Sequence, residues 1–126
     1  MTAAAVAVLV CVAGGAGAGL RFVLDGVIRS RIKAPYPVAT TIINVTGSLL
    51  LGLATGLIGS HMLTHPAQLI LGTGLLGGYT TFSTASFETV QLLESRRYLA
   101  GIVYGLGTLV VASLAAALGY LLGVTL

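Results

Sequence analysis

The stretch Gly72-Thr73-Gly74-Leu75-Leu76-Gly77-Gly78-Tyr79-Thr80-Thr81-Phe82-Ser83-Thr84-Ala85-Ser86 decides how this chain must be read. Gly72, Gly74, Gly77 and Gly78 are followed by Thr80, Thr81, Ser83, Thr84 and Ser86, so poor helix formers and hydroxyls are concentrated in one place. No charged residue lies between Lys33 and Glu88, a distance too long for one bilayer crossing of about 20 residues. His61, His65 and Pro66 interrupt it and mark a tight hairpin between two crossings. The glycine and hydroxyl cluster then falls near mid-membrane depth in a third span, and it predicts a break in that helix. Irregular backbone at such depth is tolerated only where protein buries it or where a polar cavity or ion satisfies its carbonyls and amides. Function is expected here.

The rest of the chain supports the membrane reading. Of 126 residues, 56% are hydrophobic and only 7% charged, with a mean hydropathy of +1.05, whereas a soluble domain carries roughly a quarter charged residues. Division at charges and turn residues gives an all-α integral membrane protein, one domain over residues 1–126, with spans at about 3–27, 37–60, 66–92 and 98–125. The first span lacks a basic leading segment and runs into Arg21, so it reads as a retained helix and not as a secretion signal. Cys11, alone in an apolar run, can form neither an intrachain disulfide nor a cysteine metal site, and reads as a small packed side chain. Glycines four apart, at Gly15 and Gly19, Gly52 and Gly56, Gly101 and Gly105, and Gly119 and Gly123, predict grooves where helices pack closely.

The polar residues argue against an enzyme. Asp25, Glu88 and Glu94 fall near span ends, and no nucleophile, base and orienting group are arranged along the chain. His61 and His65 flank a turn without carboxylate or thiolate companions and read as surface histidines, not metal ligands. What remains inside the membrane is neutral and rich in donors: Asn44 in span two, Tyr104 in span four, and Thr81, Ser83, Thr84 and Ser86 after the expected break. Phe82 adds a ring with an electropositive edge. Such a track suits a small dehydrated anion, and the absence of a fixed cation within it leaves binding weak enough for release. Each hydroxyl taken alone also fits back-bonding to its own helix.

These residues resemble the Fluc (CrcB) family of fluoride channels. The resemblance rests on Gly74-Leu75-Leu76-Gly77-Gly78-Tyr79-Thr80-Thr81-Phe82-Ser83-Thr84, on Gly14-Gly15-Ala16-Gly17-Ala18-Gly19-Leu20-Arg21-Phe22 and on Asn44-Val45-Thr46-Gly47-Ser48, and it covers essentially the whole chain. It implies an antiparallel, dual-topology dimer with two narrow fluoride pores along the interface. It also implies a structural sodium ion at the dimer centre, held by backbone carbonyls that map onto Gly77 and Thr80. The implied pore lining is Asn44, Phe82, Ser83, Thr84, Ser86 and Tyr104, with Arg21 and Glu88 near the pore mouths. For Arg21 a snorkelling helix-end residue is the competing explanation, and for Glu88 a helix-end anchor.

One position departs from the family pattern, which has a second phenylalanine three residues after the first where this chain has Ala85. Phe87 cannot replace it, because two residues advance a helix by about 200°. In the family each pore takes the two phenylalanines from different subunits, so a homodimer of this chain would have both pores half-lined. Charge placement points the same way. Arg29, Arg31 and Lys33 follow span one and Arg96 and Arg97 follow span three, while the hairpin between spans two and three carries no Lys or Arg. This bias predicts one fixed orientation with both termini outside. A fixed chain needs an oppositely oriented partner, so a heterodimer is expected over a homodimer. The function expected is passive fluoride export across the plasma membrane of a prokaryote, with no nucleic-acid partner. A negative interior drives anions outward at about 2.3 kcal/mol per 100 mV. The competing readings are a small multidrug-type, proton-coupled exporter, which lacks its first-helix carboxylate here, and a non-conducting assembly subunit.

Overall fold

A computed structural model describes all residues 1–126, and they form helices with no strand. Helix α1 spans Ala3–Arg31, α2 Val38–Gly59 and α6 Tyr98–Thr125. These three are long and apolar enough to cross a membrane, and they lie on the expected spans 3–27, 37–60 and 98–125. The segment expected as span 66–92 is not one helix. It opens with α3 (His65–Gln68), whose Thr64 hydroxyl accepts from the Ala67 N–H at 3.3 Å, and widens into a π-helical stretch, Leu69–Leu76. It then tightens into α4 (Gly77–Tyr79) and turns extended at Thr80, with φ −79° and ψ 161°. The chain resumes as α5 (Ser83–Glu94).

The helices are held by backbone contact more than by interlocking side chains. Only 19 of 126 residues are buried, and the large apolar side chains, Phe22, Leu99 and Leu114 among them, point outward. That distribution places the apolar solvent outside the fold. A Cβ on Gly52 would strike Ala116 and one on Gly56 would strike the Tyr120 carbonyl, while Gly119 and Gly123 meet Leu49 and Leu53. The expected Gly52/Gly56 and Gly119/Gly123 grooves therefore face each other across α2 and α6. Gly101 and Gly105 sit under Leu93 and Thr89 of α5. The first pair differs: Gly15 and Gly19 touch nothing within 4 Å, and α1 instead uses Gly17 against the Leu75 carbonyl and Gly14 against Gly78. Cys11 is exposed, not packed.

Two helix ends share one turn. After α2, His61 adopts φ 62° and the Met62 N–H closes onto the Leu57 carbonyl at 3.0 Å. After α5, Arg96 adopts φ 63° and the Arg97 N–H closes onto Leu92 at 2.9 Å. Both are Schellman closures made without the glycine that usually occupies the left-handed position. Arg97 also donates to the Pro35 carbonyl, which ties the loop after α5 to the loop before α2.

Candidate functional site

The site is built around the extended segment between α4 and α5. Its backbone cannot bond within a helix, and Asn44 on α2 supplies the missing partner. The Thr81 N–H donates to Asn44 Oδ1 at 2.8 Å, and Asn44 Nδ2 donates to the Thr81 carbonyl at 2.8 Å. One amide thus does what a neighbouring strand would do, and it is buried as it does so. Thr81 then starts the next helix: its hydroxyl accepts from the Thr84 N–H at 3.1 Å, the pattern of a helix N-cap. On the other side, Arg21 Nε donates to the Gly78 carbonyl at 3.2 Å, and both the N–H and the hydroxyl of Thr80 go to the Leu76 carbonyl.

These bonds redirect two backbone donors. In a continuous helix the Thr81 N–H would close onto Gly77 and the Thr84 N–H onto Thr80. The first is spent on Asn44 and the second on the Thr81 hydroxyl, so the carbonyls of Gly77 and Thr80 lose the donors an α-helix would give them.

The other named side chains divide between two cavities on opposite sides of α5. An open groove of about 620 Å³ runs between α5 and α6, and Asn44, Phe82, Ala85, Ser86, Tyr104 and Thr108 line it. Phe82 stands at its rim, 84% exposed. Ala85, with a single methyl, leaves this wall open. The Ser86 hydroxyl donates back to the Phe82 carbonyl at 2.9 Å. The second cavity, about 210 Å³, lies toward α1 and is lined by Arg21, Asp25, Thr40, Thr81 and Thr84. Ser83 is exposed, with its hydroxyl 3.3 Å from that of Thr81. The residues read as one track are therefore parted: Asn44, Phe82, Ser86 and Tyr104 on one side, Arg21 and Thr84 on the other.

Glu88 does not stand free at a mouth. It is buried and accepts from the Thr40 hydroxyl at 2.5 Å, from Arg29 Nη2 at 2.9 Å and from the Tyr104 hydroxyl at 3.5 Å. Arg29 Nε also donates to Asp25 at 2.8 Å. Arg29 and Thr40 were not among the site residues expected from sequence. The Asp25/Arg29 spacing of four was visible as a helix-surface pair, but the reach to Glu88 was not. Most hydroxyl and amide donors of the site are spent within the subunit, the Ser86 hydroxyl on its own helix, Asn44 Nδ2 on Thr81 and Tyr104 on Glu88, and its one buried carboxylate is fully partnered.

A family model described as "CrcB-like protein, Camphor Resistance (CrcB)" matches residues 8–120. The chain is 52% identical over 118 residues to "Fluoride-specific ion channel FluC 1" of Leifsonia xyli subsp. xyli, covering 94% of this chain and 86% of that one. It is 46% identical over 115 residues to "Fluoride-specific ion channel FluC 2" of Cutibacterium acnes, covering 90% and 94%. With "Fluoride-specific ion channel FluC" of Thermus thermophilus it shares 37% over 115 residues, covering 91% and 92%.

Proposed function

We infer what this chain does from the premise that it belongs to the CrcB family: it is a subunit of a fluoride-specific ion channel. The observation that carries this reading is the extended break held by Asn44 beside a largely apolar groove with Asn44, Ser86, Tyr104 and Thr108 along it, in a protein whose relatives are named for fluoride. Fluoride is small and strongly hydrated, so its passage requires N–H and O–H groups that replace water without a fixed cation to trap it. Asn44, Phe82, Ser83, Thr84, Ser86 and Tyr104 are the lining we assign, with Arg21 and Glu88 toward the mouths. The movement is passive and export follows the membrane potential of the plasma membrane.

Four crossings are the arrangement we propose, with α3, the π-helical stretch, α4 and α5 together making the third. Two subunits lie antiparallel. The carbonyls of Gly77 and Thr80, released from helical donors, suit a hard cation that takes oxygen ligands, and a structural sodium ion between subunits would be held there. Ala85 supports a partner of different sequence, because the groove wall it leaves open wants a bulky side chain. The one-sided placement of Arg29, Arg31, Lys33, Arg96 and Arg97 supports it as well.

The test is efflux from liposomes read by fluoride and chloride electrodes. Rapid fluoride efflux without chloride efflux, abolished by N44A in folded protein, is the expected result for the channel, from this chain alone or with an oppositely biased subunit. Folded protein that passes neither ion in either composition overturns the reading. Efflux from this chain alone would overturn the heterodimer and leave the channel.

A further inference from the structure

Glu88 poses an electrostatic problem that the fluoride reading leaves open. A carboxylate beside an anion path raises the barrier to every anion, yet Glu88 is buried on α5 and hydrogen-bonds to Thr40, which lines the cavity toward α1, and to Tyr104, which lines the groove. Around it, α2 contributes the neutral Thr40 and α6 the neutral Tyr104, while α1 contributes Arg29. Arg29 is the cation in contact with Glu88, and the same guanidinium holds Asp25, which lines the cavity toward α1. A third cleft, about 410 Å³ and polar, reaches the pair from the end of the molecule and is lined by Arg29, Pro35, Glu88, Gln91 and Ser95. The Arg29–Glu88 pair therefore lines the outer cleft and is hydrogen-bonded to residues that line the two inner cavities, Asp25 and Thr40 on one side and Tyr104 on the other.

We propose that Arg29 is a positioning and charge-compensating residue of the channel: it cancels the charge that Glu88 and Asp25 would set against an entering anion, and it holds the Glu88 carboxylate against Thr40. A guanidinium suits the task because its fork reaches two carboxylates at once and stays charged at every working pH. Removing it strands a buried carboxylate at the point where fluoride enters. The inference rests on the fluoride-channel reading.

The experiment compares fluoride efflux for wild type, R29K, R29Q, E88Q and R29Q/E88Q. Each is expressed with the oppositely oriented subunits of its own genome in cells lacking other fluoride channels, with those subunits alone as the baseline. R29Q is expected to lower efflux by about tenfold or more, as for an uncompensated buried charge. R29K, which keeps the charge, is expected to retain most of it. In the E88Q background the loss should shrink to the part that the more exposed Asp25 contributes, so that R29Q lowers efflux far less against E88Q than against wild type. A purely structural Arg29 would instead lose efflux equally in both backgrounds, with melting temperatures falling in parallel, and that result overturns the proposal. So does an R29Q variant that conducts like wild type. Wild type that never exceeds the baseline overturns the channel reading itself, a different failure recognised before any variant is measured.

Discussion

Replacing Asn44 by alanine removes two hydrogen bonds of 2.8 Å from one side chain and leaves both the N–H and the carbonyl of Thr81 without a partner. Thr81 lies outside any helix, so no neighbouring turn can adopt either group. An unsatisfied buried polar group costs about 1–3 kcal/mol, so the pair sets an upper range of about 2–6 kcal/mol. Asn44 borders the 620 Å³ groove, and water entering there would restore part of the loss. The lower end, about 2 kcal/mol or roughly a 30-fold shift in the unfolding equilibrium, is therefore expected. Equilibrium unfolding in mixed detergent micelles, followed by circular dichroism, reads it directly. T125V serves as the control, because the Thr125 hydroxyl is exposed and bonds only to the Leu122 carbonyl of its own helix. If N44A unfolds within about 0.5 kcal/mol of wild type, the range of an ordinary surface change, the amide does not hold the break and the account of the site fails.

Gly17→Ala should cost about 1–3 kcal/mol, as overpacking does, because its Cβ would strike the Leu75 carbonyl. Gly15→Ala, which meets nothing, should be neutral or slightly stabilising by the same unfolding measurement. Phe82→Ala should leave stability within about 0.5 kcal/mol, since the ring is 84% exposed in the subunit, while fluoride efflux falls about fivefold if ring contact is worth ~1 kcal/mol. His61→Gly should stabilise by about 0.5–1 kcal/mol, because the left-handed φ of 62° strains any side chain more than glycine's extra unfolded freedom costs. If the proposed sodium ion binds at the break, sodium at about 100 times its dissociation constant should raise stability by about 2.7 kcal/mol, and choline chloride at equal concentration should not. Equal melting temperatures in both salts would remove the ion from the break.

The three long helices were legible because twenty apolar residues bounded by charges leave few options in lipid. The glycines of α2 and α6 were legible as well, since spacing of four fixes a face. Spacing could not say which face finds a partner, and so Gly15 and Gly19 were expected to pack where Gly14 and Gly17 do. The helix ends at His61 and Arg96 lack glycine at the left-handed position, so the usual signal for those closures was missing. Asn44 and Glu88 were found by their chemistry, but their partners were not. Thr81 lies 37 residues from Asn44, and Arg29 lies 59 residues from Glu88. No local pattern spans such distances: α2 brings Asn44 to the break before α5, and the long Arg29 side chain reaches from α1 to Glu88.

The glycine seam between α2 and α6 also bears on how the protein is made. Its two sides come from opposite halves of the chain: Gly52 and Gly56 are synthesised early, while Gly119 and Gly123 lie within the last eight residues. Until the final helix leaves the ribosome, α2 has only lipid against that face. α1, the π-helical stretch and α4 already have each other. A chain lacking α6 would thus keep the contacts among α1, the π-helical stretch and α4 and leave the Gly52 and Gly56 face of α2 open. The seam thus joins α2 to the last helix of the fold, and its closure waits on the packing of Gly119 and Gly123 against Leu49 and Leu53.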